Sequence, residues 1–161
     1  LNSNDAVYVP VGGGGLAAGI ASALTVLENP PRIIGVQSEA SPFFHALFYT
    51  GSQEGVVEHD SIADGLAGEV ELGSLTIPLV QKMLNQIQLV SEAEIEDAIR
   101  CCWWTYNEKV EGSAAAALAA ALKDTRTQGR KICIVSGGNI QTDVFDRICA
   151  QTLPGSGEAI A

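Results

Sequence analysis

Two kinds of apolar run alternate along the chain. Ala6–Val11 is almost continuously apolar, the pattern of a strand buried on both faces. Leu16–Leu27 follows with small and aliphatic residues at helical spacing, and Asn29-Pro30-Pro31 stops it. Arg32–Gln37 is a second strand of the buried kind, so the opening predicts a right-handed βαβ unit with a parallel pair. Ser41-Pro42 fits an N-cap followed by an N1 proline, opening a short helix over Phe43–Thr50.

Gly51–Gly73 then loses its periodicity and carries five glycines, which predicts a long loop of the kind that is functional or mobile. A helix over Thr76–Asn85 and a short strand over Ile87–Val90 follow. Ser91 with Glu94 forms a capping box for a helix to about Glu108, its apolar face made of Ile95, Ala98, Ile99, Cys102, Trp103 and Tyr106. Trp103 and Trp104 are expected to pack rather than to bind a ligand. An alanine-rich helix over Ala114–Leu122 is expected to run on until Gly129-Arg130-Lys131 ends it. Ile132–Val135 is expected as a buried strand and Thr142–Ala150 as the last helix. Alternation of this kind predicts an α/β fold, an open and mainly parallel sheet with helices on both faces. Residues 1–153 form one unit on this pattern, and 154–161 a frayed tail.

Composition narrows the partners. The chain has 161 residues and a net charge of −10, which argues against nucleic acid or an anionic membrane surface. No window is long and apolar enough to span a bilayer, and the polar start is unlike a signal peptide. Cys101, Cys102, Cys133 and Cys149 lack zinc spacing and are expected as reduced, mostly buried thiols, which points to the cytoplasm. The chain opens at Leu1 and enters its first strand almost at once, as a piece of a longer protein would.

Candidate chemistry starts where the first strand ends. Gly12, Gly13, Gly14 and Gly15 join that strand to the first helix. Bare backbone at a helix N-terminus offers unpaired N–H groups and a partial positive charge, an anion cradle suited to phosphate. A second glycine turn, Ser136-Gly137-Gly138-Asn139, also follows a strand. Ligands of open α/β sheets sit at the carboxyl ends of strands, so both turns are able to face one pocket. Two carboxylates stand out beside them. Asp64-Gly65 lies among small apolar residues and also suits a plain turn, and Glu111 at the foot of the alanine helix also suits a helix N-terminal charge. The first turn also fits the alanine variant of a dinucleotide fingerprint over Gly13–Ala18, but Gln37 ends the next strand and Glu39 falls beyond it. A P-loop is excluded, because no Gly-Lys-Ser/Thr follows.

Six motifs in order resemble the threonine dehydratase and serine racemase family of fold-type II enzymes, which depend on pyridoxal 5′-phosphate (PLP). They are Val9–Ile20, Ile33–Val36, Ile62–Ala67, Leu89–Ile95, Val110–Ala115 and Ile134–Asn139, and they cover residues 5–146. The resemblance implies that Gly12, Gly13, Gly14, Gly15 and Leu16 donate backbone N–H groups to the cofactor phosphate. It implies that Ser136 hydrogen-bonds the pyridine nitrogen, that Gly65 lines the pocket near the ring and that Glu111 sits close to the ring edge. The implied activity is β-elimination of an L-hydroxyamino acid to a 2-oxo acid and ammonia.

Two departures qualify it. The family's Schiff-base lysine lies in an upstream motif, and Lys82, Lys109, Lys123 and Lys131 match no such position. The chain therefore corresponds to the later part of such an enzyme, expected to be inactive alone and to pair with the missing half or with itself. The family's cation-binding acids are replaced by Gln37 and Phe43, so no metal is expected. Without the lysine, a non-catalytic domain that binds a phosphorylated ligand or a protein partner is the main alternative, and a nicotinamide-binding fragment a further one.

Overall fold

The structure is a computed structural model that describes residues 1–150. The proposed tail at 154–161, with the end of the domain assigned to 151–153, lies outside the described residues. In order, the elements are β1 (Ala6–Pro10), α1 (Gly15–Leu24), β2 (Arg32–Ser38), α2 (Phe43–Thr50), a 3-10 turn (Asp64–Leu66), α3 (Thr76–Met83), β3 (Gln86–Val90), α4 (Glu92–Tyr106), α5 (Gly112–Lys123), β4 (Lys131–Cys133) and α6 (Thr142–Cys149). The sheet runs β3-β2-β1-β4 with every pairing parallel. Tyr8 of the central β1 registers with Ile34 on one side and Cys133 on the other.

Period-two alternation divides the strands between two cores. Val7, Val9, Ile33 and Ile87 face a layer built from Ala17, Ala21, Phe44 and Val80 of α1, α2 and α3. Tyr8, Ile34, Val36 and Val90 face Ile95, Ile99, Ala116, Ala120 and Ile148 of α4, α5 and α6. Helices thus cover both faces, as the alternation predicts. α5 is buried along nine of its twelve residues, so it is packed on all sides rather than amphipathic. Its alanines let it sit close to the sheet and to α4.

Several ends move, each for a tertiary reason. α3 stops at Met83 because Asn85 joins β2: its N–H donates to the Ile33 carbonyl (2.9 Å) and its Oδ1 accepts from the Ile33 N–H (2.7 Å). α1 stops at Leu24, where the Thr25 hydroxyl donates to the Ser22 carbonyl. α4 ends in a left-handed Asn107, which leaves Tyr106 exposed rather than on the apolar face. α5 ends at Lys123, well before Gly129. The buried carboxylate of Asp124 holds the following turn by accepting from the Tyr8 and Thr127 hydroxyls and the Arg126 N–H. Burial and Asp124 together push the Tyr8 hydroxyl up to about 12.

Ser41 does not cap α2; Pro42 holds that position without a side-chain bond. The Ser41 hydroxyl is taken by the long loop, donating to Glu58 (2.8 Å) and accepting from the Gly68 N–H (3.0 Å). β4 lies at the sheet edge, half-buried rather than buried, and ends at Cys133 instead of Val135. Cys102 and Cys149 are buried, whereas Cys101 and Cys133 are only partly so. Trp103 packs edge-on against Phe145 (5.2 Å), but Trp104 is exposed.

Candidate cofactor site

The site is built at the carboxyl ends of β1 and β4. The Val11 N–H makes the last ladder bond, to the Val36 carbonyl (2.8 Å). Beyond it the backbone N–H groups of Gly12, Gly13 and Gly14 find no hydrogen-bond partner among the described residues. Those of Gly15 and Leu16 lie in the first turn of α1, where no intrahelical acceptor exists. Gly14 is the N-cap of α1 with φ +83°, in the left-handed region that favours glycine. A Cβ there would also come within 2.6 Å of the Phe44 ring. At Gly12 a Cβ would meet the Gly65 carbonyl oxygen at 2.9 Å, so the turn rests directly on the Asp64–Leu66 segment. Gly13 and Gly15 have nothing within 4 Å of a built Cβ and face open space. The Thr76 hydroxyl ties back the Gly13 carbonyl (2.6 Å).

The second glycine turn wraps Glu111. Glu111 is the N-cap of α5, yet its carboxylate makes no capping bond. It accepts from the Asn139 N–H (3.0 Å), while its own N–H donates to the Gly137 carbonyl (3.2 Å). A Cβ on Gly137 would overlap the Glu111 carboxylate. Close approach therefore explains this glycine. Glu111 does more than decorate a helix terminus.

The long loop between α2 and α3 is tied down by three side chains. Gln53 pairs with both the N–H and the carbonyl of Val70, and Glu58 accepts from Ser41 and Gly68. Glu92 accepts from the Ser38 hydroxyl (2.6 Å), the Ser61 hydroxyl (2.7 Å) and the Ile62 N–H (2.7 Å). These bonds set Asp64-Gly65 in place. Asp64 itself accepts from the Gly65 N–H through Oδ1 (2.8 Å), the turn-forming role.

One cavity of about 230 Å³ brings together Gly12, Gly13, Gly14, Gly15, Leu16, Gly65, Glu111 and Ser136. Sequence reasoning missed Ser113, which also lines it and whose Oγ accepts from the Gly65 N–H (2.9 Å). Its signal was a lone hydroxyl at the head of an alanine run. Glu92 was missed as well, hidden beside a capping box that accounts for a carboxylate locally. Beyond Glu111 a second cavity of about 330 Å³ is lined by Ser61, Asp64, Glu111, Asn139 and Gln141 among others.

No lysine lines the smaller cavity. Lys123 pairs with Glu94, Lys131 donates to carbonyls at the end of α5, Lys109 lies over Phe145, and Lys82 is at the end of α3. Gln37 is buried with its Oε1 on the His45 N–H (2.9 Å), so it is not placed to hold a ribose as the dinucleotide alternative requires. Phe43 is a core residue. No helix among the described residues is long and apolar enough to cross a membrane.

Fold and site together define an α/β protein whose glycine turn, with unpaired backbone N–H groups, shares a cavity with a hydroxyl and a carboxylate. Residues 1–138 match the family described as "Pyridoxal-phosphate dependent enzyme". The L-threonine ammonia-lyase of Thermotoga maritima is 38% identical over 97% of this chain and 39% of that protein. The catabolic L-threonine dehydratase of Escherichia coli (strain K12) is 39% identical over 89% of this chain and 45% of that protein. The structure of maize serine racemase superposes with a TM-score of 0.77 at 31% identity, over 89% of this chain and 46% of that one. The chain belongs to the PLP-dependent enzymes, of fold-type II. It spans less than half the length of the curated relatives it matches.

The residues present fit the family's cofactor. Free N–H groups surround the glycine turn, Gly13 and Gly15 leave room that a Cβ would fill, and a hydroxyl and a carboxylate stand across the same cavity.

Proposed function

We propose that this chain is the cofactor-binding portion of an ammonia-lyase that converts L-threonine or L-serine to a 2-oxo acid and ammonia. The observation that carries the proposal is the single cavity shared by the two glycine turns, Gly65 and Glu111. PLP, when bound, supplies an electron sink for the carbanion left at the substrate Cα. The N–H groups from Gly12 to Leu16 bind its phosphate with fixed dipoles, working against the net charge of −10. The Ser136 hydroxyl would donate to the pyridine nitrogen, and a hydroxyl would leave that nitrogen unprotonated where a carboxylate partner would protonate it. Glu111 is held by Asn139 and pressed on Gly137; it would border the ring of the cofactor, and Gly65 would keep that wall free of a side chain.

The lysine that anchors the cofactor is then contributed from outside these 161 residues, together with the substrate-carboxylate loop. Pairing with that part, or with a second copy, would cover the exposed Val135 beside β4. The test is to express the full-length protein, saturate it with PLP and assay 2-oxo acid from L-threonine and L-serine. Product from either supports the proposal, and a folded, PLP-loaded protein that yields none overturns it. The absence of any lysine from the cavity lining favours one rival, a non-catalytic domain that binds a phosphorylated ligand. That rival predicts uptake of inorganic phosphate with no turnover in the full-length protein.

A further inference from the structure

Ser113 has a role that none of the roles above includes. It lies in the first turn of α5, two residues after Glu111, and is only 5% exposed. A buried hydroxyl without a partner is costly. Its partner comes from another segment: the Oγ accepts from the Gly65 N–H at 2.9 Å. The contact is tight, since a Cβ on Gly65 would meet the same Oγ at 2.9 Å. On its other side Gly65 presents its carbonyl to Gly12, where a built Cβ would approach to 2.9 Å. Ser113, Gly65 and Gly12 thus form one continuous line of contact from the foot of α5 to the phosphate turn. A serine in a helix commonly gives its proton to the carbonyl four residues back. No such bond to Lys109 is found among the described residues. Ser113 also lines the 230 Å³ cavity beside Gly65 and Gly12.

We propose that Ser113 is a positioning residue that latches Gly65 to α5 and so sets the cradle width between the phosphate turn and Glu111. The inference rests on the proposed PLP site, and it has a readout that needs no cofactor. The exposed Gly65 N–H is shared: it also donates to Asp64 Oδ1 (2.8 Å), an exposed carboxylate, so Ser113 supplies the one buried partner of the two.

The experiment compares wild type, Ser113→Ala and Ser113→Thr in the full-length protein. Two quantities are measured: Gly65 amide hydrogen exchange in the cofactor-free protein, and PLP affinity by titration. Ser113→Ala is expected to raise the Gly65 exchange rate several-fold and the PLP dissociation constant by about 3–10-fold, the range for one part-buried hydrogen bond. Ser113→Thr, which keeps the Oγ, is expected to restore both to within about threefold of wild type. A merely structural serine would lower the thermal midpoint of Ser113→Ala and leave PLP affinity of the folded protein unchanged, and that result overturns the latch. Equal Gly65 exchange in wild type and Ser113→Ala overturns it too, whether or not PLP binds. Failure of the wild type to take up PLP would instead count against the proposed function, with the latch still decided by the exchange data.

Discussion

Replacing Gly14 by alanine separates the scaffold of the first glycine turn from its proposed binding surface. Gly14 is buried at φ +83°, a conformation that costs an L-residue roughly 1–2 kcal/mol. The new Cβ would lie 2.6 Å from Phe44 Cε2 and 3.1 Å from Thr76 Cβ. Phe44 is fully buried and has nowhere to retreat, so overpacking adds about 1–3 kcal/mol. Loss of unfolded-state freedom returns about 0.4–1 kcal/mol. The net expectation for Gly14→Ala is a destabilisation of about 1–5 kcal/mol, centred on roughly 3 kcal/mol. Gly13→Ala is the control, because Gly13 has no positive φ and nothing within 4 Å of a built Cβ. It is expected to keep stability within about 0.5 kcal/mol of wild type while its methyl occupies the cradle and weakens phosphate binding. Urea unfolding of the two variants, followed by titration with inorganic phosphate and PLP, measures both effects. Gly14→Ala unfolding at the wild-type midpoint would refute the strain argument, and Gly13→Ala binding phosphate as wild type does would refute the cradle.

Three further outcomes are expected. Glu92→Ala removes the acceptor shared by Ser38, Ser61 and Ile62, and charged hydrogen bonds of this kind are worth roughly 1.5–3 kcal/mol each. Proteolysis or hydrogen exchange should show the segment around residues 58–66 loosening, while the Ser91–Glu94 capping box keeps the start of α4 protected. Acid stability should depend on two carboxylates. Hydrogen bonds from Arg130 hold Asp5 well below the usual carboxylate range. For Asp124, burial pushes upward, but bonds from Thr127 and Tyr8 outweigh it and hold the group low. A lowered folded-state pKa stabilises above the unfolded value of about 4, and that contribution is lost as pH falls through the folded value. Asp124→Asn should therefore flatten the fall in stability below about pH 4, measured by denaturant midpoints across pH. Ser136→Ala, if Ser136 holds the pyridine nitrogen, should weaken PLP binding or turnover by about 2–10-fold with no change in unfolding midpoint.

What the sequence carried best was local. The β1–glycine turn–α1 step, the Ser91–Glu94 capping box and the bounds of α2 depend on neighbours a few residues apart, and the structure reproduces them. Gly12, Gly13, Gly14, Gly15, Leu16, Gly65, Glu111 and Ser136 line one cavity, whereas Asp64 lines the neighbouring one with Asn139. Long-range partners decided the remainder. α3 ends where Asn85 finds Ile33, and α5 ends where Asp124 finds Tyr8, 116 positions away in sequence. Ser41 looked like a cap because nothing nearby reveals Glu58 as a competing acceptor. Glu92 shows the converse: a carboxylate with a ready local explanation spends both oxygens on the loop that carries Asp64-Gly65.

The position of α5 explains why so many alanines sit in one helix. The helix packs against the sheet and α4 at once, and its first turn carries Glu111 at the N-cap and Ser113 just inside. Glu111 fixes the second glycine turn through Asn139 and Gly137, and Ser113 holds Gly65, which in turn supports Gly12. The two ends of the cavity are therefore referenced to one rigid body. Small side chains set the height of that body above β1 and β2, since no rotamer of alanine can relax to a new spacing. Ala116 and Ala120 are fully buried against the strands. A larger residue at either would lift the foot of α5, moving Glu111 and Ser113 together away from the first glycine turn. Geometry at this cavity is thus set by the packing of a helix, and the loops that line it inherit it.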